Sequence, residues 1–90
     1  MRVKFFPCEI GDWHKDTFPA ATLADCVEKL KEEAQELEDA IGTPTWEEEL
    51  ADVALVVFAI ADRYGVDLQY EMDCKFELNK QRGIEGRWKQ

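Results

Sequence analysis

One histidine, three prolines and three cysteines in 90 residues exclude several common chemistries. Zinc sites draw on histidine and cysteine, and a single imidazole with no C-x-x-C pair cannot supply such a ligand set. Cys8, Cys26 and Cys74 are widely spaced and odd in number, which points to reduced thiols in a cytosolic setting rather than a disulfide framework. His14 has no recognisable serine or cysteine nucleophile beside it and is assigned no catalytic role. No glycine-rich G-x-x-x-x-G-K loop is present to cradle phosphates. Strand-like alternation, internal repeats and low-complexity tracts are missing as well. The longest apolar run, VALVVFAIA at 53–61, falls short of the roughly 18–20 residues of a membrane-spanning helix. The start, MRVKFFPCEIGDW, does not have the form of a signal peptide. A soluble, cytoplasmic protein is expected. Basic residues are also few, 11 Lys and Arg against 20 Asp and Glu, for a formal charge of −9. That charge disfavours a nucleic-acid polymer or an anionic membrane as partner. An anionic small substrate would need a metal ion or a local basic patch.

What is present is a globular composition, 46% apolar and 11% aromatic, and strong helical periodicity. The chain reads as one domain, 1–90, with an irregular or short-helical segment at 1–21, a helical core at 22–82 and a tail at 83–90. Thr22 followed by Asp25 is an acidic capping box. Leu23, Val27, Leu30, Ala34, Leu37 and Ile41 then form the stripe of a helix over about 23–41, which Gly42 and Pro44 end. Thr45 with Glu48 predicts a second box, opening a helix over about 46–64 before Gly65. Beyond its first turn this second helix is apolar nearly all round, which calls for burial that a chain this short can hardly provide alone. Asp67 caps a third helix over about 68–82, with Leu68, Met72 and Phe76 facing inward. The expected fold is all-α: an antiparallel helical hairpin, a third helix packing back on it, and a four-helix-type bundle completed by oligomerisation. Trp13, Phe18, Phe5 and Phe6 are expected in the core rather than stacking on a ligand.

The most informative stretch is the hairpin KEEAQELEDAIGTPTWEEELADVALVV. Glu33 and Glu36 are three residues apart on one helix, as are Glu49 and Asp52 on the next, and each pair flanks its apolar stripe. If the helices pack stripe to stripe, four carboxylates can converge, which neighbouring ionised groups do not tolerate without a cation. An all-oxygen donor set suits Mg²⁺, or Mn²⁺, and such ions commonly also bind substrate phosphates. The remaining acids read as solvated helix surface, with Glu32 or Glu48 available to orient a water. On the third helix Lys75, Asn79 and Arg82 recur at i, i+4, i+7, an edge whose point charge and planar fork suit phosphate oxygens. Arg87 and Trp88 in the tail offer a phosphate contact and a surface for stacking a base, with docking of the tail tryptophan on the core as an equal alternative.

These residues resemble the MazG-like, all-α nucleoside triphosphate pyrophosphohydrolases, in a short, single-domain form. The signature E-E-x-x-E followed by E-x-x-D stands here as EEAQE (Glu32, Glu33, Glu36) and ELAD (Glu49, Asp52), and KFELNKQRGIEGRW is similar to the Lys, Asn, Arg and Trp pattern of the third helix. The resemblance implies metal-dependent cleavage of a (d)NTP to (d)NMP and pyrophosphate, a housekeeping role in nucleotide pools. It implies Glu33, Glu36, Glu49 and Asp52 as catalytic, Mg²⁺-holding residues, and Lys75, Asn79 and Arg82 or Arg87 as nucleotide contacts. It also implies a homodimer or homotetramer. The GIEG between Arg82 and Arg87–Trp88 departs from the pattern and leaves open which arginine acts. Two alternatives stand: a pyrophosphatase dedicated to dUTP or phosphoribosyl-ATP, and a non-catalytic helical interaction or regulatory module.

Overall fold

In the computed structural model, residues 9–84 are described, with side chains over 10–82. The chain forms α1 (Glu9–Thr17), α2 (Leu23–Asp39), α3 (Trp46–Arg63) and α4 (Leu68–Ile84). Local chemistry accounts for most of these boundaries. The Thr22 hydroxyl accepts from the Asp25 amide at 3.1 Å, and the Asp25 carboxylate accepts from the Thr22 amide at 2.9 Å, a closed capping box that starts α2. Gly42, at φ +86°, supplies the left-handed turn after α2. Asp67 caps α4 by accepting the Tyr70 amide at 3.0 Å.

Thr45 does not form its expected box with Glu48. Its backbone sits at φ −99°, ψ 2°, away from the extended conformation that aims an N-cap side chain at the first turn. Its hydroxyl instead pairs with that of Thr43 at 3.1 Å, while Thr43 donates to the Ala40 carbonyl at 2.7 Å. The side chains of this turn thus stabilise the turn itself rather than the start of α3.

Helix α3 is the element on which the others assemble, with α2 along one part and α1 along another. The buried side chains are small or acidic: Cys26, Ala40, Ala59, Ala61 and Glu33. Small residues let helices approach closely, and at the α1–α3 crossing the Gly11 amide donates to Asp62 Oδ2 at 3.1 Å. No large side chain is fully buried among the described residues. Trp46, Leu50 and Leu55 of α3 remain exposed, so the burial that its composition calls for is not met among the described residues.

The third long helix departs from expectation. Among the described residues, helix α4 makes no extensive packing with any other helix. Phe76, expected to face inward, is 53% exposed, and Tyr70 and Leu78 are exposed with it. The Cα radius of gyration of 15.0 Å exceeds the roughly 12 Å of a compact chain of this length, as a projecting helix requires. The physical reason lies in the helix surface. Leu68, Met72 and Phe76 lie along one line, but Tyr70 and Leu78 point elsewhere, so no single face gathers the apolar area.

Gly11→Ala tests the α1–α3 approach. An added Cβ would lie 2.6 Å from the Asp62 Cβ, and an atom fixed to backbone cannot swing aside. The expected cost is about 1–3 kcal/mol, read as a lower urea midpoint. An unchanged midpoint would contradict the close crossing.

Candidate functional site

The α2–α3 packing brings acids of both helices into electrostatic contact. Glu33 is buried on α2, Glu49 and Asp52 are half-buried on α3, and Glu36 is exposed at the edge. Burial pushes the Glu33 carboxyl above its ordinary value of 4.5; Lys29 pulls the other way, and the charge of Glu36, a hydrogen bond with it and the charge of Asp52 raise it further. Glu49 is also raised, by desolvation first and then by Asp52, Glu36 and Glu48. Its Oε2 is buried without a hydrogen-bond partner. Each helix therefore feels the charges of the other. As the side chains stand, no group of three or more His, Cys, Asp or Glu among the described residues is arranged as a ready metal cage.

Glu33 and Asp52 also line a cavity of about 670 Å³ between α1, α2 and α3. This is within the usual ~300–1,000 Å³ of small-molecule pockets. Trp13, His14 and Phe18 contribute an aromatic wall, Leu55 and Val56 an apolar one, and Lys29 a cation. Trp13 meets Phe18 edge to face, with centroids 5.8 Å apart and planes at 86°, and His14 lies 5.3 Å from Phe18. At 57% and 48% exposure, Trp13 and Phe18 are not the core residues that their size suggests. The reason is the partial cover: α1 lies across α3 and leaves its aromatic end over the cavity.

Lys75, Asn79 and Arg82 fall on α4, of which Lys75 is exposed and the other two half-buried. They line no part of this cavity. Arg87 and Trp88 lie outside the described residues, as do Cys8, Phe5 and Phe6. Cys26 is a buried free thiol and Cys74 an exposed one. Sequence reasoning missed Lys29, which is four residues before Glu33 on the same helix face, a spacing that could have been read. It also missed Arg63, whose position near the end of a helix reads as a charge favourable to the macrodipole.

The chain is similar to a dATP/dGTP diphosphohydrolase of Salmonella phage PMBT28, 34% identical over 73 residues, a match covering 81% of this chain and 24% of that protein. It therefore spans about a quarter of the length of the curated relative it matches, a distant and partial homology. No family model matches the chain. No solved structure matches it. No helix among the described residues is long and apolar enough to cross a membrane.

The raised carboxyls make a prediction for stability. A group whose folded pKa lies above its unfolded value favours folding below the unfolded value, and that contribution is lost as pH rises through the folded value. For Glu33 and Glu49 the loss occurs above about 4.5. Glu49→Gln should therefore raise the Tm of the protein in EDTA near neutral pH and flatten the pH dependence in that window. Thermal melts across mildly acidic to neutral pH check this; a lower Tm for the variant would show that the Glu49 charge is already satisfied.

Proposed function

We propose that the chain is a divalent-cation-dependent nucleoside triphosphate pyrophosphohydrolase that converts a (d)NTP to (d)NMP and pyrophosphate in nucleotide-pool housekeeping. The observation that carries this reading is that Glu33 of α2 and Asp52 of α3 line one cavity with an aromatic wall, with Glu36 and Glu49 in electrostatic contact with them. The phage relative, named a dATP/dGTP diphosphohydrolase, supports it and makes dATP and dGTP the first candidates.

The donor set fits Mg²⁺ or Mn²⁺: it is all oxygen, and the buried Glu49 Oε2 has no protein partner. Glu33, Glu36, Glu49 and Asp52 would hold the ion, which when bound polarises phosphoryl oxygens and acidifies water. Trp13 and Phe18 offer faces for a base, an interaction typically worth about 1–3 kcal/mol per stacked base. Lys29 stands beside Glu33 and would take a phosphate oxygen. Lys75, Asn79 and Arg82 line no part of the cavity and would be brought to a site by docking of α4 on a second copy. The exposed Leu50, Leu55, Phe76 and Leu78 supply apolar area for that docking. The reading therefore includes a homodimer or homotetramer.

Pyrophosphate release from a panel of nucleoside triphosphates, with dUTP and phosphoribosyl-ATP included, tests the activity and its specificity. Glu49→Gln should lower turnover on the order of a hundredfold or more, and Trp13→Ala should raise KM by about 5- to 100-fold. Saturating Mg²⁺ should raise Tm by roughly 10 °C or more over EDTA. No turnover and no Mg²⁺ shift would leave the non-catalytic helical module as the reading. Light scattering should give a mass at least twice the 10.4 kDa of one chain.

A further inference from the structure

Arg63 lies at the far end of α3 from the acids, yet it is the most heavily hydrogen-bonded side chain among the described residues. Its Nη1 donates to the Phe18 carbonyl at 2.8 Å and approaches that of His14 at 3.5 Å. Its Nη2 donates to the carbonyls of Pro19 at 3.1 Å and Ala21 at 2.9 Å. One planar guanidinium thus gathers carbonyls from the end of α1 and from the connection to α2; those of His14 and Phe18 also accept the Phe18 and Ala21 amides, at 2.9 and 3.1 Å, and the guanidinium uses their second lone pairs. Nη1 also lies 3.0 Å from His14 Nδ1. A guanidinium has donors only, so Nδ1 must be the acceptor, and the ring proton of a neutral imidazole is left on Nε2.

We propose that Arg63 is a positioning residue of the cavity: it fastens the segment bearing His14, Phe18 and Ala21 to α3 and holds His14 as the Nε2–H tautomer, a donor for ring nitrogens or carbonyl oxygens of a ligand. The ligand half of this rests on the nucleotide reading; the tautomer and the wall do not. Burial, and after it the charge of Arg63, lower the His14 pKa from its ordinary 6.5. The other charged groups around this cavity are Asp25, Lys29 and Glu33 from α2 and Asp52 from α3. Arg63 is the one that touches the ring.

A single histidine makes the test unambiguous, because the untagged full chain gives one imidazole in ¹⁵N NMR. In the wild type, Nδ1 should appear unprotonated and hydrogen-bonded, Nε2 protonated, and the ring should titrate below 6.5. Arg63→Gln should release Nδ1, move the titration upward, and raise nucleotide KM about tenfold with kcat little changed, because the acids are untouched. Arg63→Lys keeps the charge but cannot reach all the carbonyls at once, so it should restore the titration more than the KM. A proton on Nδ1 in the wild type, or a glutamine variant with unaltered titration and KM, would overturn the proposal. Should Arg63→Gln not fold, the wild-type spectrum and Arg63→Lys decide. Absence of turnover with every nucleotide would remove the functional reading, while the spectrum still decides the role of Arg63.

Discussion

Carboxylates pressed together where two helices pack are the constraint on which the rest of this molecule depends. Glu33 is buried, Glu49 has an oxygen with no partner, and both are pushed toward protonation by desolvation and then by acids of their own and of the facing helix. Such an arrangement works against folding of the bare chain and must be offset by interactions elsewhere. The offsetting interactions can be named. A closed capping box starts α2, Thr43 stitches the hairpin turn, and Asp62 and Arg63 tie α1 down by polar contacts to backbone.

Helix α3 carries unrelated tasks in sequence along its length. Its first turns hold Glu49 and Asp52, its middle supplies Leu55 and Val56 to the cavity, and its end holds the two residues that anchor α1. Small side chains at Ala59 and Ala61 permit the close approach of neighbouring helices, and the space left toward the acids becomes the cavity. The same helix leaves Leu50 and Leu55 exposed, and α4 projects with Phe76 and Leu78 uncovered. Both features leave apolar area uncovered among the described residues.

Most of the fold was legible because its signals are local. Thr22 and Asp25 lie three residues apart, so the box they form needs nothing from the rest of the chain. Helical spacing and a short turn led to the expectation that Glu33 and Glu36 face Glu49 and Asp52; the structure puts acids of the two helices in electrostatic contact but gathers no three of them, among the described residues, into a metal-holding group. Thr45 shows where local reading stops: the correct residue types were present, but a competing hydroxyl and a non-extended backbone took the side chain away. Phe76 and Trp13 failed for another reason. Size predicts that an aromatic ring prefers burial, but not whether anything is there to bury it.

The all-α class, the spans of α2, α3 and α4 to within a few residues and the closed box at Thr22 were determined by the sequence alone, because backbone propensity, spacing and capping chemistry are properties of short stretches, whereas α1 stood there only as an irregular or short-helical segment. Which acids feel one another, the aromatic wall formed by α1, the grip of Arg63 on carbonyls more than forty residues away in the chain and the isolation of α4 were decided only by tertiary structure. Those outcomes depend on the relative placement of distant helices, and that placement follows from the balance of packing, desolvation and charge across the whole chain.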